Sequence, residues 1–224
     1  MQGKFVILHL SDSHLGHPTW KEDSLSVLKP LLTDLSGETA KGLAPDLIVF
    51  SGDLVYGTVK GSPVADQYPL AADFLGKIYS AVGKKPAETK LVFAPGNHEV
   101  EREVVLKSQT DFLGKCSEEQ IREIMTGATA NEWNSIVKRQ QAWRQFAKVH
   151  ASPTLTWHEE LGACHEIIGA CDGTIGIAGM NTSWASSTES EKGKLWLGEP
   201  QFQELYNAIR DCDFKIAVVC PRFR

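Results

Sequence analysis

Three short polar clusters hold the residue types that metal-assisted hydrolysis needs. Asp12 and His14 stand two apart in Asp-Ser-His, which sets a carboxylate and an imidazole on the same side of an extended turn. Asp53 follows Gly52, and Asn97 and His98 follow Gly96, so a glycine at each place lets two backbones approach closely. Oxygen and imidazole donors in this mixture suit a borderline divalent ion such as Mn²⁺, Fe²⁺ or Zn²⁺ and not a thiolate-type zinc centre. Asp53, the middle member of the set, is placed to bridge two such ions. Two ions ~3.5–4 Å apart can activate a water and clamp the oxygens of a phosphoryl group during in-line displacement.

Such donors converge only if the elements before them run the same way. The first cluster follows the apolar run Lys4 to Leu10, the second follows Leu47-Ile48-Val49-Phe50, and the third follows Lys90-Leu91-Val92-Phe93-Ala94. Short, nearly continuous apolar runs read as strands covered on both faces. Between them, Leu25, Leu28, Leu32 and Leu35 recur at helical spacing, with a helix start or a kink at Pro30. Leu70, Phe74, Leu75 and Ile78 mark a second helix over Tyr68 to Val82. Strand-helix alternation predicts a parallel sheet, whose ligand site lies at the carboxyl ends of its strands. All three clusters sit there.

From Glu101 to about residue 165 the chain turns polar and helix-forming, a helical insertion placed over or beside the site. Ser117 to Gln120 offers a capping box. Trp133, Ile136, Val137, Gln140, Trp143 and Ala147 form a stripe that packs on the main body, while Lys138, Arg139, Arg144 and Lys148 read as a solvated face. Strand character returns at Ile167 to Gly169, Thr174 to Met180 and Phe214 to Val219, with a polar loop over Ser183 to Lys194 and a helix from Glu199 to Ile209. His17 reads as a surface histidine, and His150, His158 and His165 as ordinary structural or surface ones.

The ordered set LSDSHLG, DLIVFSGDLV and LVFAPGNHEVER resembles the first three motifs of the calcineurin-like metallophosphoesterase superfamily. That resemblance implies an α/β fold of two packed β-sheets flanked by helices, filling residues 1–224 as one domain. It implies two divalent metal ions (Mn, Fe or Zn) and a phosphate-ester substrate, either a monoester or a diester. By the same resemblance Asp12 and His14 are ligands of the first metal, Asp53 bridges, and Asn97 binds the second metal and phosphate. His98 then stabilises or protonates the leaving oxygen, and Glu99 orients it. Gly179 to Trp184, with Gly193-Lys194-Leu195 beyond, resembles a strand and loop of bacterial members and receives no catalytic role.

Two further family motifs are expected, a histidine after the last strand and a Gly-His-x-His loop. Cys220 stands where the first would be, and the sequence holds no Gly-His-x-His. The reading is therefore a domain truncated at its far end, with the chain's catalytic competence open. The alternatives are a metal-dependent nuclease, or a non-catalytic nucleotide- or partner-binding module with a degenerate site.

Composition agrees with the parts and narrows the partners. The 224 residues are 42% hydrophobic and 23% charged, which excludes disorder, collagen and coiled coil. A net charge of −5 disfavours nucleic acid as a partner, since broad phosphate contact normally makes a domain basic. No apolar run approaches the ~20 residues that span a bilayer, and the first residues lack a signal-peptide pattern. Five cysteines without C-x-x-C spacing favour reduced thiols. A soluble cytoplasmic protein with no membrane partner is expected.

Overall fold

Leu47, Ile48, Val49 and Phe50 are all buried, because this strand has a layer on each side. The computed structural model describes residues 4–20, 24–59, 63–127, 130–170, 173–188 and 195–220. Cys171, Gly193, Lys194 and the tail from Pro221 to Arg224 lie outside the described residues. Strands β1 (Ile7–Leu10), β2 (Leu47–Ser51) and β3 (Lys90–Ala94) form a parallel sheet in that order, joined by helices α1 (Lys29–Ala40) and α2 (Tyr68–Ala81). Phe50 lies opposite Phe93, so both site-bearing strand ends come level. Pro30 falls in the first turn of α1, where its missing N–H costs nothing.

Four helices follow: α3 (Lys107–Leu113), α4 (Glu118–Met125), α5 (Ala130–Val137) and α6 (Gln141–His150). The Ser117 hydroxyl accepts from Gln120 N at 3.2 Å while Gln120 Oε1 accepts from Ser117 N at 2.9 Å, the reciprocal cap expected at the start of α4. The second sheet is β4 (Thr156–His158), β5 (Ala163–Ala170), β6 (Gly173–Gly179) and β7 (Phe214–Val218), in order β4-β5-β6-β7, with helix α7 (Glu199–Ile209) before the last strand. Its first three strands are antiparallel and β7 runs parallel to β6.

Strand alternation builds four layers. Leu47, Val49, Val92 and Ala94 meet Cys164, Ile175, Ile177 and Val218 between the sheets. Ile48, Phe50, Leu91 and Phe93 face the other way, onto Phe74, Leu75 and Ile78 of α2 and Trp143 and Phe146 of α6. On the far side Ala163 and Ala178 join Leu205 and Ile209 of α7 with Ile121 and Trp133. This is the two-sheet sandwich flanked by helices that the resemblance implied.

Two expectations need correction. The helices end at His150, and β4 and the start of β5 occupy 156–165, where the sequence reading extended the helical region. His158 and His165 interrupt the apolar pattern there, so pairing of β4 with β5, and of β5 with β6, makes these strands and local periodicity does not. Arg139 is not on a solvated face: it is fully buried, donating to the Ser186 carbonyl at 3.3 Å and to Gln109 Oε1 at 2.9 Å. Among the described residues no helix is long and apolar enough to cross a membrane.

Candidate metal centre

The pairing of β1 with β2 continues past the strands and carries the first two clusters. Asp12 N donates to the Gly52 carbonyl at 3.1 Å, His14 N to the Asp53 carbonyl at 3.0 Å, and Leu15 N to the Leu54 carbonyl at 3.0 Å. Asp12, His14 and Asp53 sit at φ of 55°, 45° and 54°, the non-glycine residues with positive φ among those described. Left-handed backbone costs an L-residue ~1–3 kcal/mol and concentrates where a side chain must be aimed. A Cβ on Gly52 would lie 2.9 Å from Gly96 Cα, and one on Gly96 would lie 2.6 Å from Asp53 N, so the two loops pass with no room for side chains.

Donor atoms of His14, Asp53 and His98 lie within 4.8 Å of one another. Asp53 is 1% exposed, and its Oδ1 accepts from His98 N at 3.1 Å. The His98 Nδ1 is bonded to the Tyr56 carbonyl; with Nδ1–H donating there, Nε2 carries the lone pair. The His14 and His98 rings meet edge to face with centroids 4.5 Å apart. Asp12 is exposed, its carboxylate 3.9 Å from His14 Nε2, at the rim and outside the group of three. Asn97 is 2% exposed, and neither its amide nitrogen nor its oxygen has a hydrogen-bond partner among the described residues. A buried amide with both ends unused is costly unless something else meets it.

Glu99 does not point into the group. Its Oε2 accepts from Asp53 N at 2.9 Å and Gly96 N at 2.6 Å, and its Oε1 from Val55 N at 3.2 Å, tying the second loop to the third. Burial, then the neighbouring Asp53 carboxylate, push the Glu99 carboxyl up to about 8, against the opposing pull of those three N–H donors. Gln67 makes a similar clamp that sequence reasoning missed. Its Oε1 accepts from Tyr56 N at 3.0 Å and Gly57 N at 3.1 Å, fixing the carbonyl that holds His98. Beside the group lies a cavity of about 770 Å³, with His17 and Tyr56 on its polar side and Trp20, Leu28, Leu31 and Phe74 on its apolar side. His17 is part of this wall, its ring 4.3 Å from that of Tyr56.

Two imidazoles, a buried carboxylate and an unused amide are a donor set that fits a borderline divalent ion. A family model for calcineurin-like phosphoesterases matches residues 5–218. The chain belongs to that family. It is also similar to a protein of Arabidopsis thaliana named "Probable inactive purple acid phosphatase 14", 32% identical over 120 residues that make up 50% of this chain and 28% of that protein. The chain thus matches well under a third of the length of that relative.

In this phosphoesterase domain the downstream histidines lie outside the His14–Asp53–His98 group. His158 and His165 bond each other, and His150 packs against Phe146 with ring centroids 4.4 Å apart. Cys220 is 5% exposed at the end of the last strand, its Cβ 3.0 Å from where a Gly52 side chain would begin. Behind the third cluster runs a buried amide relay. The Gln201 side chain bonds the Asn181 backbone, Asn181 Nδ2 donates to Gln140 Oε1 at 2.8 Å, and Gln140 Nε2 donates to Ser183 Oγ at 2.8 Å. Ser183 Oγ then donates to the Pro95 carbonyl, one residue before Gly96. Sequence offered no signal for this relay beyond the resemblance of the Asn181 segment.

Proposed function

We propose that this chain is a metal-dependent hydrolase of phosphate esters, working at the carboxyl ends of β1, β2 and β3. The observation that carries the reading is the convergence of His14, Asp53 and His98 from three separate loops, two of them held at strained backbone. Asp53 would hold metal at the middle, with His14 and Asp12 on one side and the Asn97 amide on the other. Divalent ions held there would supply a water of lowered pKa and neutralise phosphoryl charge. His98, its Nδ1 tied to the Tyr56 carbonyl and its Nε2 kept toward the reacting group, would serve as the acid and not as a metal donor: a proton taken up on Nε2 from solvent passes to the leaving oxygen, and Nε2 returns to its lone-pair form. Glu99 and Gln67 position the loops and touch no substrate.

The cavity narrows the substrate. Among its described lining residues there is no lysine or arginine, and one wall is apolar. A singly charged diester or an ester of an aromatic alcohol fits this better than a polyanion, and a net charge of −5 disfavours the nuclease reading. The described group offers few protein ligands, and millimolar Mn²⁺ is the condition to use. With it, bis-p-nitrophenyl phosphate should be hydrolysed, and Asp53→Asn should abolish turnover. An unchanged rate in Asp53→Asn would sink the assignment. The word "inactive" in the Arabidopsis relative's name supports a second reading, a binding module: Mn²⁺ retained by Asp12, His14 and Asp53 with no turnover of bis-p-nitrophenyl phosphate or p-nitrophenyl phosphate would establish it.

A further inference from the structure

On the outer face of the second sheet, under α7, two imidazoles meet that the proposed hydrolysis does not use. The antiparallel register sets Thr156 opposite His165 and His158 opposite Ala163, which makes His158 and His165 diagonal neighbours on one face. His158 Nε2 lies 2.8 Å from His165 Nδ1. The other nitrogen of His158 is bonded to Glu204 Oε1 of α7. The His158 side chain is 12% exposed, and Glu204 reaches it from a 54% exposed position. His158 and Glu204 line a cavity of about 480 Å³ together with Glu159 and Glu160; no lysine or arginine is among its described lining residues.

We propose that His158 Nε2 and His165 Nδ1 form a second metal site, for a borderline divalent ion of the Cu²⁺, Ni²⁺ or Zn²⁺ class, with Glu204 as the carboxylate that orients His158. A histidine that gives its Nδ1–H to a carboxylate has a fixed tautomer and a more basic Nε2, the arrangement usual behind metal-bound imidazoles. The spacing matches as well. Two nitrogens each ~2.0–2.1 Å from one ion lie about 2.9 Å apart at a right angle and about 3.3 Å apart at a tetrahedral one. The observed separation therefore matches adjacent positions on Cu²⁺ or Ni²⁺ once the rings turn off the line of their hydrogen bond, and Zn²⁺ after a further opening of roughly 0.5 Å. Paired imidazoles disfavour Mg²⁺ and Ca²⁺, which take oxygen.

The protons balance without a co-reactant. With the Nδ1–H of His158 given to Glu204, His158 Nε2 accepts from His165 Nδ1–H. When an ion enters, that proton moves to His165 Nε2 by exchange with solvent, and both lone pairs face the ion. Glu159 is paired with Lys148 and Arg144, so Glu160 and Glu204 are the cavity acids that lower the cost of bringing in positive charge.

Copper titration followed by electron paramagnetic resonance tests this independently of any hydrolytic activity. The wild-type protein should show a Cu²⁺ class with two-nitrogen hyperfine structure that Asp53→Asn retains. His158→Gln and His165→Gln, checked for folding by circular dichroism, should each lose that class while keeping Mn²⁺-dependent hydrolysis. Glu204→Gln, at an exposed position the fold tolerates, should weaken it about tenfold. The same two-nitrogen signal at unchanged affinity in Glu204→Gln and in either histidine variant would overturn the proposal, as would loss of the signal in Asp53→Asn alone.

Discussion

Asp12, His14 and Asp53 take backbone conformations that their side chains resist, at φ of 55°, 45° and 54°, and the glycines beside them remove the remaining obstacles. These residues were legible in the sequence because carboxylate, imidazole and amide types directly after apolar runs have few structural reasons to be there. Gln67 was not. A glutamine gives no signal of its own, and its role exists only because the turn before α2 brings it against Tyr56 and Gly57. Gly96 makes the residue-scale prediction. A methyl group there would fall inside contact distance of Asp53 Oδ1, a carboxylate oxygen that His98 N holds in place, and 2.6 Å from the backbone Asp53 N. Gly96→Ala must therefore displace Asp53 or part the two loops. We expect a loss of about 1–3 kcal/mol in urea unfolding, with a marked rise in the Mn²⁺ concentration that half-saturates activity. A variant as stable as the wild type, with the same Mn²⁺ dependence, would show that the loops do not need their close approach.

The elements divide by how their strands are specified. β1, β2, β3, β6 and β7 are apolar runs bounded by turns, and each was readable in the sequence. β4 and the start of β5 are made by pairing: Thr156, Trp157, His158 and the residues from Ala163 have no clean period of two, and the ladders of β4 with β5 and of β5 with β6 supply what propensity does not. Arg139 shows the same limit on a helix, since a charged residue reads as solvated until three-dimensional partners are known. The Gln201–Asn181–Gln140–Ser183 relay belongs to this scale because it joins α7, the loop after β6 and the turn before α6 to the Pro95 carbonyl. Asn181 and Gln140 are 0% and 1% exposed, so cutting their bond strands the remaining partner away from water. Asn181→Ala and Gln140→Leu should each cost about 1–3 kcal/mol in denaturant unfolding. The double variant should cost less than the two together, because one shared bond is lost only once. Full additivity would mean that the relay does not act as a unit.

At the scale of the whole molecule, the two sheets and their helices hold a pair of carboxylates, Asp53 and Glu99, each 1% exposed, at the junction of three loops. That arrangement ties global stability to pH and to metal. Glu99 has its carboxyl raised from the usual 4.5 to about 8, so between those values the folded metal-free protein keeps a proton that the unfolded chain has released. Folding then takes up a proton. The stability from this group is present in full below about 4.5 and is lost as pH rises through about 8. With a chelator present, the free energy of unfolding in urea should fall between pH 5 and 8, by an amount on the order of a few kcal/mol. Other groups titrate in the same window, and Glu99→Gln separates them: it cannot ionise, so its slope is that of everything else. Manganese should flatten the wild-type slope, because positive charge beside Asp53 offsets the second buried carboxylate, and should add about 2.7 kcal/mol at a hundred times its dissociation constant. A chelated wild type that loses no more stability with pH than Glu99→Gln would show that Glu99 is ionised throughout, held by its three backbone N–H donors alone.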